Sequence, residues 1–341
     1  MVLGSWRIEG KIDDGSWIVA TGTNSWNYIL DTKSFSDGGH FIYARSFDGE
    51  YYSPEYRINI YVNNGGAYVK LLPVQYIHQC YDTRDDFIGS WACAPTSAVM
   101  ILAYHHRVPS NPMIASNPTP HYSNYGDYVS KEYTYNGFTF SYGHSEATAC
   151  GQATGKGAWG YIWKDSRSSC VACSVVSNLL SYLRMHDFIC KPIFSSESKP
   201  LTDVDARAIV KNAINHGRPL IARTLLTKSG HYVVIAGYEE INGKFFYLVD
   251  DPFGDKSDGS YGDRCWGELV GEPVRYSFSL MHLNTYGRGL IEIIPKGGET
   301  GGYTLAETFS PVNLHAVDPV SYTHLRAHET RHDLVCRLLL E

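Results

Sequence analysis

An α+β domain preceded by an all-β module is the architecture this sequence predicts, and three observations carry that prediction. Residues 4–64 are short β-like runs broken by turn signals, a nearly continuous apolar helix opens at Pro95, and strand patterns return after Leu220 once two further helices have passed. Helices first and strands second, beyond an all-β start, is the order expected of an α+β domain with an appended sandwich.

The N-terminal runs are Trp17–Ala20, Trp26–Leu30, His40–Arg45 and Tyr56–Val62, separated by Asp13-Asp14-Gly15, Gly22-Thr23-Asn24, Asp37-Gly38-Gly39 and Asp48-Gly49. In the last run Ile58, Ile60 and Val62 alternate with Arg57, Asn59 and Tyr61, which puts the apolar set on one face. Trp17 and Trp26 read as core aromatics of this sandwich, the usual place for such rings, rather than as an exposed binding pair. Asn63-Asn64-Gly65-Gly66 marks the boundary.

Beyond it, Pro95 to His106 is a helix apolar on most sides and therefore buried. Arg107 to Asp165 is polar, aromatic and glycine-rich with no helical period, and reads as a long loop, either facing substrate or forming a structural flap. Val175, Val176, Leu179, Leu180 and Leu183 mark a second helix. Thr202 with Asp205 starts a third, which stops at Gly217 and Pro219. Leu220–Leu225, Tyr232–Tyr238 and Lys244–Val249 then predict an antiparallel core sheet, joined by Gly289–Ile294.

Composition narrows the classes of partner. The chain has 341 residues and a formal net charge of -6, so it carries no basic footprint for nucleic acid or an anionic membrane surface. Its longest apolar run, Ala98 to Tyr104, is too short to span a bilayer. Residues 320–341 read as a translated sequencing adaptor and are set apart from the fold, with 297–319 as a linker or the start of a truncated segment. Cys80, Cys93, Cys150, Cys170, Cys173, Cys190 and Cys265 remain, an odd set that fits one reactive thiol and an even number able to pair, in pairs the sequence does not assign. Cys170 and Cys173 lack a second pair at zinc-ligand spacing, and His105-His106 reads as a helix end in contact with the dipole, so neither a metal nor a cofactor is expected.

The chemistry concentrates in four places. Cys93 opens the apolar helix two residues before Pro95, where backbone amides and the helix dipole favour a thiolate. His231 follows Gly230 at the head of a strand, Asp251 precedes Pro252 at the end of the next, and Gln79 precedes the cysteine block. Alone, each has an ordinary explanation: a buried thiol, a strand-edge histidine, a turn aspartate and a loop amide. Together they are the parts of a thiol hydrolase: nucleophile, base, orienting carboxylate and oxyanion donor.

Val74-Gln75-Tyr76-Ile77-His78-Gln79, Phe87-Ile88-Gly89-Ser90-Trp91-Ala92-Cys93-Ala94-Pro95-Thr96-Ser97, Gly230-His231-Tyr232-Val233-Val234-Ile235-Ala236-Gly237-Tyr238 and Val249-Asp250-Asp251-Pro252 resemble the papain-fold cysteine peptidases of the bacteriocin-leader-peptidase-like group, in their soluble extracytoplasmic form. The resemblance covers Leu71 to about Pro295. It implies a papain-like peptidase domain over 65–296 with Cys93 as nucleophile, His231 as base, Asp251 rather than Asp250 as orienter, and Gln79 with the Cys93 amide as oxyanion hole. Peptide or protein substrates follow from it. Amidase or transpeptidase work on cell-wall peptides, or an inactive surface-binding protein, are the alternative readings. Ala94 departs from the family's usual glycine and adds a methyl beside the oxyanion site. Residues 1–64 resemble a bacterial immunoglobulin-like module lacking its first strand or strands, which implies secretion or cell-surface display and contact with the surface or with polysaccharide through that module.

Register decides whether His231 and Asp251 can meet. A two-residue Asn242-Gly243 turn would, by strict alternation, set them on opposite faces, whereas a three-residue loop pairing Glu240 with Lys244 sets them on the same face. A loop or bulge of that parity is therefore expected.

Overall fold

The structure is a computed structural model that describes residues 6–22, 26–27, 30–36, 38–62, 68–141, 155–164, 171–256 and 273–297. The Asn63–Gly66 boundary, Cys150, Cys170, Cys265, the side chain of Cys173 and everything from residue 298, including the adaptor-like stretch 320–341, lie outside the described residues. Two compact units result: residues 6–62 with Pro120–Tyr122, and the remainder from residue 68 onward.

In the first unit, β1 (Arg7–Ile12), β2 (Ile18–Val19), β3 (Thr21–Gly22), β4 (Trp26–Asn27), β5 (Gly38–Phe47) and β6 (Tyr56–Val62) follow one another. Four of them form an antiparallel sheet in the order β2-β1-β5-β6, and β3 with β4 forms a separate two-stranded ladder. One face of the sheet buries Ile12, Leu30 and Ile42, with Phe35 and Ile60 packed against them. On the other face Glu9 accepts from Arg7 at 2.7 Å and from its cross-strand partner Arg45 at 2.8 Å. The Arg45 guanidinium lies between the Trp17 and Tyr52 rings, 4.0 and 3.9 Å from their centroids. This stacking corrects the core assignment of the tryptophans. Trp17 is half-buried because it covers a cation on the polar face, and Trp26 is half-buried on the short β4. Across residues 6–62, the described strands outside the four-stranded sheet are only the β3–β4 pair.

The second unit opens with β7 (Tyr68–Leu71) and reaches α1 (Cys93–Tyr104), where Ala94 to Tyr104 are all buried. A helix apolar all round has no solvent face, so this one runs through the interior. Short elements then fill the stretch expected to be loop: β8 (Met113–Ala115), β9 (His121–Ser123), α2 (Asp127–Ser130), a hairpin of β10 (Thr134–Tyr135) and β11 (Phe138–Thr139), and α3 (Gly157–Ile162). None is long enough to show a period. Most of the aromatics here pack inward: Tyr128, Trp159, Tyr161 and Trp163 are buried, and Trp159 meets Phe87 edge-on at 5.5 Å.

The chain continues through α4 (Val171–Met185), β12 (Phe188–Phe194), α5 (Asp203–Asn215), β13 (Leu220–Thr224), β14 (His231–Ile241), β15 (Lys244–Asp250), β16 (Val274–Tyr276), α6 (Phe278–Met281) and β17 (Gly289–Pro295). Thr202 caps α5 by accepting the Asp205 N–H at 3.1 Å, as the sequence suggests. The strands form an antiparallel sheet in the order β12-β17-β13-β14-β15-β16, and β7 joins β14 as a seventh strand.

β14 changes neighbour halfway along one edge. Residues 231–235 pair with β13, and residues 237–240 pair with β7. At the changeover Ala236 is bulged, since Ile235 faces Val249 but Gly237 faces Leu248, and the Ala236 carbonyl accepts the Leu72 N–H at 2.9 Å. Gly237 is required beside it, because a Cβ there would lie 2.3 Å from the Lys70 carbonyl oxygen. The turn is a two-residue one, with Ile241 opposite Lys244 and positive φ of 50° at Asn242 and 74° at Gly243. The three-residue loop is thus overturned. The expected change of parity comes from the bulge, so Val234 faces Asp250 and the next pair inward would join Val233 to Asp251.

Candidate active site

Cys93 is the first residue of α1 and the one residue of that helix that is not buried. It is a free thiol at a helix N-terminus, where the opening amides have no intrahelical acceptor. Ala94 is buried in the same turn. A 3-10 turn, Gly89–Trp91, leads into the helix, and its Gly89 carbonyl accepts both the Ala92 N–H at 2.8 Å and the Gln79 side-chain N–H at 2.7 Å. Gly89 has no substitute here: a Cβ would sit 1.8 Å from the Gln79 carbonyl oxygen.

Gln79 is buried, with its side-chain oxygen lacking a hydrogen-bond partner. Its Nε2 spends one N–H on Gly89, which leaves the second for another acceptor. Its backbone N–H donates to the Pro252 carbonyl at 2.7 Å, so the loops that carry Gln79 and Asp251 are tied directly.

His231 heads β14, paired across the ladder with Thr224, and its imidazole is buried. Its Nε2 is 2.7 Å from Asp251 Oδ1. The Cys93 thiol acts on the same ring and helps to raise its pKa. Burial alone would lower the imidazole's pKa. The Asp251 charge, then the Cys93 charge, then the hydrogen bonds to both outweigh it and leave the ring at about 10. At neutral pH the ring is an imidazolium.

Asp251 is fully buried and both its oxygens are engaged: Oδ1 also accepts the Phe253 N–H at 3.0 Å, and Oδ2 accepts the Tyr276 hydroxyl at 2.9 Å. Tyr276 in turn accepts the Lys256 N–H at 2.7 Å, and the Tyr76 hydroxyl donates to the Asp251 carbonyl at 2.9 Å. Asp250, the rival carboxylate, is also buried, but neither of its oxygens has a hydrogen-bond partner and burial pushes its pKa well up. Its register partner is Val234, on the face away from His231.

Cys93, His231 and Asp251 thus form one contiguous set, with Gln79 bonded to both flanking loops. Tyr276 and Tyr76 are the residues that sequence reasoning missed. Val274-Arg275-Tyr276 carries a three-residue alternation, too short to read as a strand beside a glycine- and charge-rich stretch. Tyr76 stood inside the Gln79 block without a role.

Two further expectations change. Cys190 is a free buried thiol under α4, its sulfur 4.0 Å from the Leu180 carbonyl, and burial pushes its pKa up to about 11, so it does not belong to a pairing set. Cys80, next to Gln79, is disulfide-bonded. His105 ends α1, but burial drives its pKa down to about 3, so it is neutral and makes no charge–dipole contact. Among the described residues no group of three His, Cys, Asp or Glu side chains could hold a metal ion, and no helix is long and apolar enough to cross a membrane.

No curated protein matches the chain. The family model described as the Peptidase_C39 like family matches residues 71–271, a span that contains Gln79, Cys93, His231 and Asp251 and stops short of Tyr276. The helix that opens at Cys93, the antiparallel sheet and the matched span agree, and the chain belongs to the Peptidase_C39 like family of cysteine peptidases.

Proposed function

We propose that this protein hydrolyses peptide bonds with Cys93 as nucleophile, His231 as proton shuttle, Asp251 as orienting carboxylate, and Gln79 with the Cys93 backbone N–H as oxyanion donors. The observation that carries the reading is the buried imidazole of His231, held 2.7 Å from Asp251 through Nε2 and raised in pKa by both Asp251 and the Cys93 thiol.

The imidazolium and a thiolate at the helix N-terminus form an ion pair that holds the nucleophile ready without a separate deprotonation. Attack by sulfur on the scissile carbonyl carbon moves an electron pair onto its oxygen, toward the Gln79 and Cys93 N–H groups. The imidazolium then gives its proton to the leaving amine as the C–N bond breaks, leaving a thioester. His231, now neutral, takes a proton from water, the hydroxide displaces sulfur, and acid product and thiolate are released. Asp251 keeps the ring in place and stabilises its charged form throughout. No metal or cofactor is needed for any of these steps. The immunoglobulin-like reading of residues 1–64 and export of the chain belong to the same proposal. A disulfide at Cys80 supports the latter, since such bonds persist in oxidising compartments.

A peptide library read by mass spectrometry tests the activity, with Cys93→Ala and His231→Ala as controls. The expected result is cleavage by the wild type and none by either variant, because groups that act as one unit fail together. Cleavage that survives Cys93→Ala overturns the assignment.

A further inference from the structure

Two large apolar side chains stand in water on the segment that delivers Cys93 to the site. Ile88 is 67% exposed and Trp91 is 45% exposed, whereas Gly89 and Ala92, which alternate with them, are buried. Small polar residues at both positions would hold the same turn without exposing apolar surface. Scattered apolar side chains are ordinary on a protein surface, but two on one turn next to a reactive thiol have the character of a ligand-facing lining.

Trp91 is also held in place. Its indole meets Trp163 edge-on with ring centroids 6.4 Å apart, Trp163 meets Trp159 at 5.3 Å, and Trp159 meets Phe87 at 5.5 Å. Phe87, Trp159 and Trp163 are buried. The segment from Phe87 to Trp91 is thus anchored at both ends on one aromatic column, and the exposed part of the Trp91 ring loses little freedom when something covers it. Its distance from the thiol is limited by the chain itself: the Trp91 and Cys93 Cα atoms cannot be more than about 7.6 Å apart, twice the spacing of consecutive Cα atoms. Between Ile88 and Trp91, the Gly89 carbonyl accepts the Gln79 side-chain N–H at 2.7 Å. A peptide whose scissile carbonyl meets Cys93 and Gln79 therefore lies beside this turn, with the side chains next to that bond in reach of the indole.

We propose that Trp91 and Ile88 form an apolar subsite beside the nucleophile, which takes an aromatic or long aliphatic side chain of the peptide substrate next to the scissile bond. Such a side chain covers both exposed surfaces and leaves the water with them, whereas a small or charged one leaves them wet. The subsite rests on the peptidase reading for its use in turnover, but not for its affinity.

The test uses the full chain and a peptide set in which one position at a time is Phe, Leu or Ala. At the position that meets the subsite, burial of a Phe or Leu side chain predicts kcat/KM about 10- to 100-fold above that of the Ala peptide, carried mainly by KM. Trp91→Ala should bring that ratio toward one. Trp91→Phe, which keeps a ring to pack on Trp163, should retain most of it, and Ile88→Ser, a change at an exposed position outside the aromatic column, should lower it in part. Binding of the same peptides to Cys93→Ala, measured by calorimetry, separates this proposal from the peptidase reading. Tighter binding of the Phe or Leu form at one position, lost when Trp91→Ala is added to Cys93→Ala, sustains the subsite even if the wild type cleaves nothing. Equal binding of the Phe, Leu and Ala forms at every position, no binding of any form, or a preference that survives both Trp91→Ala and Ile88→Ser overturns it.

Discussion

Replacing Tyr276 with Phe removes one oxygen and leaves the ring. The lost hydroxyl donates to Asp251 Oδ2 at 2.9 Å and accepts the Lys256 N–H at 2.7 Å. Asp251 retains His231 Nε2 and the Phe253 N–H, both on Oδ1. Oδ2 would then lose that bond, and the carboxylate could turn about its bond to Cβ, carrying the imidazole with it. A hydrogen bond to a charged group contributes about 1.5–3 kcal/mol, and each 1.4 kcal/mol is about a factor of ten. If most of that bond serves to orient the histidine, kcat falls by about 10- to 100-fold while KM changes little, since Tyr276 is buried and acts through Asp251. Stability should drop by about 1–2 kcal/mol through the loss of the hydroxyl's bonds to Asp251 and to the Lys256 N–H. Steady-state kinetics on the best library peptide, together with a pH profile, provides the assay. The high-pH limb, where the imidazolium loses its proton, should move to lower pH as the grip of Asp251 weakens. Wild-type kcat with an unmoved profile would refute the idea that Tyr276 positions the triad through Asp251. A rise in KM alone would place it in substrate binding.

Three other perturbations follow from the same geometry. Gly89→Ala must displace the Gln79 carbonyl, 1.8 Å from the new methyl, so turnover should fall by about a hundredfold or more as the oxyanion donor moves; near-normal kcat would show that Gln79 is not that donor. Asp250→Val removes two buried oxygens that have no partner and should raise stability by about 1–3 kcal/mol without loss of turnover, read as Tm and kcat; a lower Tm would mean the acid is used. His231 titrates at about 10 in the folded chain and near 6.5 when unfolded, so the folded state holds a proton that the unfolded state releases. Its stabilising contribution is therefore complete below pH about 6.5 and is lost as pH rises toward 10. Melting curves across that range should fall more steeply for the wild type than for His231→Gln, and parallel curves would contradict the shift.

Much of the site was legible in the sequence because each of its parts leaves a local mark. A cysteine before an apolar run, a histidine after glycine at a strand head and Asp-Pro at a strand end are features of chemistry and chain geometry that a short window contains. The parts that were not legible depend on distant partners. The Ala236 bulge exists because β14 hands one edge from β13 to β7, some 160 residues away in sequence, and nothing in Ile235-Ala236-Gly237 announces it. Asn242-Gly243 did announce a two-residue turn, and the requirement that His231 and Asp251 share a face was right, but the parity was supplied five residues earlier than expected. The short helices α2 and α3 escaped because four to six residues do not display a period. Trp17 was misplaced because its partner is a cation on β5, two strands from β2, rather than a core, and Arg45 is 28 residues away.

The most direct test of the central claim, that Cys93, His231 and Asp251 act as one unit, is the rate of iodoacetamide alkylation at pH 6, followed by intact mass and peptide mapping. Cys93 should be labelled rapidly while the buried Cys190 stays unlabelled, and His231→Ala should slow the labelling of Cys93 by about tenfold or more. Labelling of Cys93 at the same rate with and without His231, or no faster than a free cysteine in solution, would contradict the account.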